Sequence, residues 1–190
     1  MSLEHRQELW DSLGPRNDAA KNGEVTPAHR GRTHLMRLCV ERVIPIWEQA
    51  EDRGAELLAP ADRPQAMLEE AARRLSGEDS WEHTSTSIRR FSSLVNYLYE
   101  LDEIDTRLHF IVRAAMSAVS IALRDIADYP HGWSELANES FVADALASWA
   151  WCGATPWARG LSEDSERRRR EFWQWYVDEA FPLAWNEARG

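Results

Sequence analysis

EIDTRLHFIVRAAMSAVSIALRDIAD, residues 103–128, is the stretch that decides how this chain folds. At 100° per residue, Ile104, Leu108, Ile111, Val112, Ala115, Val119, Ala122 and Ile126 fall on one stripe, and Ala114, Ala118 and Ile121 line a second. A helix that is apolar around most of its circumference belongs in the middle of a bundle. The stretch therefore predicts a buried central helix near residues 103–127. A narrow polar seam remains, made of Thr106, His109, Arg113, Ser117, Ser120 and Arg124. Either it lines a cleft in which His109, Arg113 and Arg124 hold a carboxylate, or it is the solvent-facing edge of the central helix. At the helix start, Asp102, Glu103 and Asp105 suit the positive end of the dipole. Asp105 and His109 stand four apart, and with Asp102 or Glu103 they make the best metal candidate, although ligands from one helix are not a site.

Around this centre, apolar residues recur at three and four, and runs alternating with period two are nearly absent, so the fold class is all-α: a single-domain bundle of about six helices. Residues 1–25 read as an N-terminal arm with room for a short helix over Leu3–Asp11, and 26–190 as the bundle domain. Thr26-Pro27 suits a helix start, but Gly31 weakens it and places the firm start near Thr33. Pro45 in VIPIW predicts a bend, because it cannot donate to the Glu41 carbonyl. Asp62-Arg63-Pro64-Gln65 has the form of a capping box, and Gly77 ends the helix that it opens. Further helices are expected over about Ser80–Tyr99 and Asn138–Trp151, the second presenting Phe141, Val142, Ala145, Leu146 and Trp149.

The last helix opens oddly, with RRRREFWQWYVDEAFPLAW at residues 167–185. Consecutive residues step 100° around a helix, so Arg167, Arg168, Arg169 and Arg170 are spread around it and cannot line one nucleic-acid groove. Ser162 is placed to cap this helix, and Glu163, Asp164, Glu166 and Glu171 stand where they can pair with the arginines. Phe172, Trp173, Tyr176, Val177, Ala180, Leu183 and Ala184 form one buried face. Trp175 projects away from it, either onto a second neighbour or toward a partner, and Pro182 is a second expected kink.

Composition narrows the function. The 190-residue chain carries a net charge of -10, and 21 of its 22 basic residues are arginine. Such a chain does not offer the concentrated basic field that nucleic-acid backbones require; its excess negative charge suits either a cationic partner or simple solubility. No cationic leader is present and the apolar runs look too short to span a membrane, so a soluble, cytoplasmic protein is expected. HExxH, GxSxG, a glycine-rich phosphate loop and CxxC are all absent, and His34, His83 and His131 lie in separate segments without ligand spacing. No cofactor is implied. Cys39 and Cys152 read as two buried free thiols.

RTHLMRLCVERVIPIWEQA, ADRPQAMLEEAARRLSG and FWQWYVDEAFPLAW together resemble a helical immunity-protein family of bacterial polymorphic toxin systems, family five, over about residues 26–188. The resemblance implies a small cytoplasmic protein that neutralises a cognate toxin by protein–protein contact and is not an enzyme. Under it, the contact face combines Asp102, Glu103 and Asp105 with aromatics such as Trp133, Trp157 and Trp175. The competing expectation is a small helical enzyme with a polar or metal site around Asp105, His109, Arg113 and Arg124.

Overall fold

The structure, a computed structural model, describes residues 1–16, 20–51, 58–99, 105–125, 142–155 and 158–190. Its helices are α1 (Leu3–Ser12), α2 (Pro27–Glu51), α3 (Pro64–Ser76), α4 (Trp81–Tyr99), α5 (Thr106–Arg124), α6 (Ala143–Cys152) and α7 (Glu163–Trp175). A π-helical turn, Tyr176–Ala180, carries α7 directly into α8 (Phe181–Glu187). Short 3-10 turns cover Ala20–Asn22 and Pro60–Asp62, and no strand occurs among the described residues. Among the described residues the chain is an all-α bundle of seven rods if α7 and α8 count as one; the N-terminal helix brings the expected six to seven.

The predicted central helix is central. Asp105 caps α5 by accepting from the Arg107 backbone amide at 2.9 Å, and α2, α3, α4 and α6 all pack against it. Ala114, Ala115, Ala118 and Ala122 are fully buried, so the small side chains let neighbouring rods approach closely. By length and mean hydropathy, 1.2 over 18 residues, α5 passes the test for crossing a membrane, which corrects the view that no stretch comes near it. The apolar surface that passes the test is taken up by the surrounding rods.

α6 departs from a one-faced helix. Every residue from Ala143 to Ala150 is buried, including Asp144 and Ser148, because α6 is packed by α2, α5 and α7. The Asp144 carboxylate accepts from the Ala145 amide at 2.7 Å and from Arg6 of α1 at 3.2 Å. That pair, 1% and 0% exposed, ties the first helix to the interior, and Trp10 adds a bond from its indole N–H to the Tyr176 hydroxyl at 3.2 Å.

A second buried tie joins three segments. Arg32 of α2 grips Asp125 with two parallel bonds of 2.7 and 2.6 Å and donates to the Gly14 and Pro15 carbonyls at 2.8 and 2.9 Å. Asp125 ends α5 in a left-handed conformation, φ 51°, its amide bonded to the Ile121 carbonyl at 2.8 Å. His29 meets that same carbonyl at 2.8 Å, which makes its Nε2 the protonated nitrogen. Removing one partner from a pair this deeply buried strands the other charge, a loss of about 3–5 kcal/mol.

Local chemistry corrects several expectations. α2 starts at Pro27, with Thr26 Oγ1 accepting from the His29 amide at 3.2 Å, not near Thr33. Gly31 does not weaken that start: a Cβ there would sit 2.6 Å from Ala188 Cβ and 2.8 Å from the Ala184 carbonyl, so glycine is what lets α8 cross α2. Pro45 does not interrupt α2, which runs as one 25-residue helix with Pro45 on its exposed side, where water can serve the Glu41 carbonyl. Asp62 does not cap α3; Arg63 holds that position without a side-chain bond, while Asp62 pairs with Arg90 of α4 at 2.8 Å and Gln65 reaches Glu48 at 3.4 Å. The tertiary partners outcompete the local box.

Val177 and Leu183, expected on the buried face of the last helix, are 43% and 52% exposed. The reason is the π-turn, in which the Phe181 amide bonds to the Tyr176 carbonyl five residues back. Its wider turn shifts the phase, so burial follows Phe172, Trp173, Tyr176, Ala180 and Ala184. Pro182 stands at the start of α8, directly after the π-turn, within a continuous helical run.

The α2–α8 crossing makes a direct prediction. Ala normally improves a helix over Gly by about 0.5–1 kcal/mol, yet Gly31→Ala should lower stability by about 1–3 kcal/mol, because its Cβ meets helix backbone that cannot yield. Urea unfolding midpoints measure the sign; a stabilised Gly31→Ala contradicts the close crossing.

Candidate functional site

Of the residues singled out by sequence, Asp102, Glu103, Ile104, Ile126, His131, Trp133, Phe141 and Trp157 lie outside the described residues, as does the expected helix start at Asn138. Asp105 is engaged by its neighbour: Arg107 Nε donates to both of its oxygens, at 3.1 and 2.9 Å, and holds its carboxyl below the ordinary value. His109, four residues on, is 9% exposed, and its ring bonds to the Leu98 backbone of α4. Among the described residues, no third histidine, cysteine or carboxylate closes a metal-holding group around Asp105 and His109.

The polar seam is open at both ends of α5 and covered most at His109. His109 is buried, Arg113, Ser117 and Ser120 are half-buried, and Thr106 and Arg124 at the two ends are exposed. Ser120 returns its hydroxyl to the Met116 carbonyl of its own helix at 3.0 Å. His109, Arg113 and Arg124 thus share a helix side but differ in access to solvent.

Trp175 is half-buried and meets a second neighbour. The Arg42 guanidinium of α2 lies 4.3 Å from its ring centroid and 4.7 Å from that of Trp151, held between two indoles. Phe172 adds an edge contact at 5.5 Å. Nothing in the local pattern of ERVIPIWE announces this stack, because its members come from α2, α6 and α7. Arginine suits it, since a planar guanidinium stacks on aromatic faces.

The arginine run is paired much as the helix geometry predicts. Arg167 bridges Asp164 and Glu171, Arg168 reaches Asp164 at 2.8 Å, and Arg170 lies 3.6 Å from Glu166. Arg169 instead covers Trp149, 3.9 Å from its centroid. Beside the run, between α1 and α7, lies an open groove of about 600 Å³ with Met1, Leu161, Trp173 and Val177 on its walls.

The arm contributes the clearest unpaired charge. α1 buries Arg6, Trp10 and Leu13, spaced at i, i+4 and i+7. Offset by about half a turn, Glu4, Glu8 and Asp11 repeat the same spacing on the exposed side. No described residue forms an ion pair with these three carboxylates. The acidic composition was evident from the sequence, but this stripe becomes visible only once the orientation of α1 is known.

Comparison with known protein families now adds what geometry cannot. The family model described as immunity protein Imm5 matches residues 1–183 of the chain. The chain belongs to the Imm5 family. Imm5 proteins are immunity proteins, not catalytic enzymes, which is consistent with a toxin-neutralising role through protein–protein contact. That membership bears out the resemblance found in the sequence, extends it across α1, and removes the enzyme alternative. No curated protein matches the chain significantly.

Two buried histidines, His29 and His109, and the half-buried His34 give this Imm5 protein a pH response. His29, His34 and His109 are all held below the ordinary imidazole value of 6.5, chiefly by burial, with Arg37 adding to the effect at His34 and Arg113 at His109. With the folded value depressed, the unfolded chain takes up protons first as pH falls. Stability is therefore full above about pH 6.5 and declines below it. The melting temperature should drop between about pH 7.5 and 5.5, and His29→Gln should flatten the drop. A melting temperature that holds or rises on acidification contradicts the assignment.

Proposed function

We propose that this Imm5 protein neutralises its cognate toxin by docking an acidic exterior onto a basic surface of the toxin, with the outer face of α1 as one contact. The observation that carries this reading is the one-sided use of charge. Arg6, Arg32 and Arg74 are buried, Arg42 and Arg169 lie over indoles, and Arg37, Arg73, Arg90, Arg107, Arg167, Arg168 and Arg170 pair with carboxylates. These arginines are engaged within the molecule, whereas Arg16, Arg30, Arg89, Arg124 and Arg159 are exposed; the exposed Glu4, Glu8 and Asp11 line one side of α1 on a chain of net charge -10. A complementary field speeds encounter and penalises wrong partners.

The same accounting argues against nucleic acid as the partner, because the arginine run that might have gripped phosphates is occupied. Asp102, Glu103, Asp105, Trp133, Trp157 and Trp175 are carried as a second set of contact candidates. Neutralisation is proposed to take place in the cytoplasm, where a producing cell needs protection.

Two measurements test the reading. Expression of the product of the neighbouring reading frame should be toxic alone and harmless with this chain present; harmlessness without it removes the antitoxic role. With that product as partner, the triple variant Glu4→Lys, Glu8→Lys, Asp11→Lys should associate at least about 10-fold more slowly at low salt and lose salt dependence. Unchanged kinetics would exclude α1 from the interface.

A further inference from the structure

At the turn between α3 and α4, three side chains from different positions converge. Glu70 lies in α3, Asp79 in the turn and His83 in the first turns of α4, and one ligand atom from each lies within 4.8 Å of the others. The backbone enforces the approach. Gly77 ends α3 at φ 80°, and the Glu78 and Asp79 amides both bond back to the Arg73 carbonyl, at 3.0 and 3.3 Å. That closure folds Asp79 over the last turns of α3 and leaves His83 four residues along.

We propose that Glu70, Asp79 and His83 form a binding site for a divalent transition metal of the zinc type. The second observation behind this is Glu70 itself. It is 4% exposed, yet its Oε1 is shielded from solvent and accepts no hydrogen bond from any described residue. A carboxylate oxygen taken out of water without a donor is costly, and a cation is one of the few groups that repays it. Asp79 offers the complement: Arg73 Nε occupies its Oδ2 at 2.9 Å, while Oδ1 faces His83 Nε2 at 3.9 Å.

Two carboxylates beside one arginine leave the cluster net negative, as a cation needs. One imidazole with two carboxylates suits zinc, whereas magnesium and calcium prefer oxygen alone. Bonds of about 2.0–2.2 Å set ligand atoms about 3.4 Å apart in a tetrahedron. The present spacing is therefore slightly open. His83, whose side chain is 59% exposed, is the arm able to close it, and water completes the fourth position. The bound ion would staple α3 to α4, a role independent of toxin binding.

The test uses the full chain freed of metal by chelation and titrated with zinc chloride in a calorimeter. Wild type should take up one zinc per chain and melt at higher temperature in zinc, with no rise in magnesium. His83→Ala, at an exposed position that the core does not use, should lose at least about 10-fold in affinity, as should the isosteric Glu70→Gln if its circular dichroism matches wild type. Failure of wild type to bind zinc overturns the proposal. So does wild-type affinity in His83→Ala or in folded Glu70→Gln, since the ion would then sit elsewhere. If Glu70→Gln does not fold, His83→Ala decides alone.

Discussion

Two guanidiniums held out of water organise this bundle. Arg32 joins the loop after α1, helix α2 and the end of α5 through one fork, and Arg6 joins α1 to α6. Neither pair is a cheap source of stability, because desolvating both charges offsets most of their attraction. What they supply is direction. Helices packed only through alanine and valine could slide or rotate with little penalty, whereas a bidentate fork with two carbonyl acceptors fits one arrangement. Asp125 takes the left-handed conformation, φ 51°, that aspartate tolerates at a helix end, and this places its carboxylate at the end of α5 for Arg32.

The same chemistry explains why 21 of 22 basic residues are arginine. Lysine carries a strongly hydrated point charge that neither stacks well nor forks, and it would not substitute at Arg32, Arg42 or Arg169. Many guanidiniums are committed to buried forks, indole faces and i,i+4 partners, and the net charge of the chain is -10. Interior packing and outward charge are thus one design, and the use of this Imm5 protein as a binding partner rests on both.

Much of the fold could be read directly from the sequence. The central helix, the Ser162 cap, the acidic start of α5 at Asp105, the glycine stop at Gly77 and the paired arginine run all follow from short-range periodicity and capping. Features decided by a distant partner could not be read the same way. Gly31 is meaningful only against Ala184 and Ala188, Asp62 only against Arg90, and the burial of Asp144 only against Arg6. The candidate contact surface was legible as net charge but not as place. The carboxylates at Glu4, Glu8 and Asp11 needed the orientation of α1, and His83 gained its neighbours from a turn whose closure brings Glu70 within reach.

The π-turn at Tyr176–Ala180 allows one rod to satisfy two differently oriented neighbours. Upstream, Phe172 and Trp173 point into the interior; downstream, Ala184 and Ala188 must face the glycine notch on α2. A straight helix keeps a fixed angular relation between those positions and could not meet both demands at once. One surplus residue in the backbone corrects the azimuth between the two halves, so each half is free to drift in sequence without forcing the other to repack.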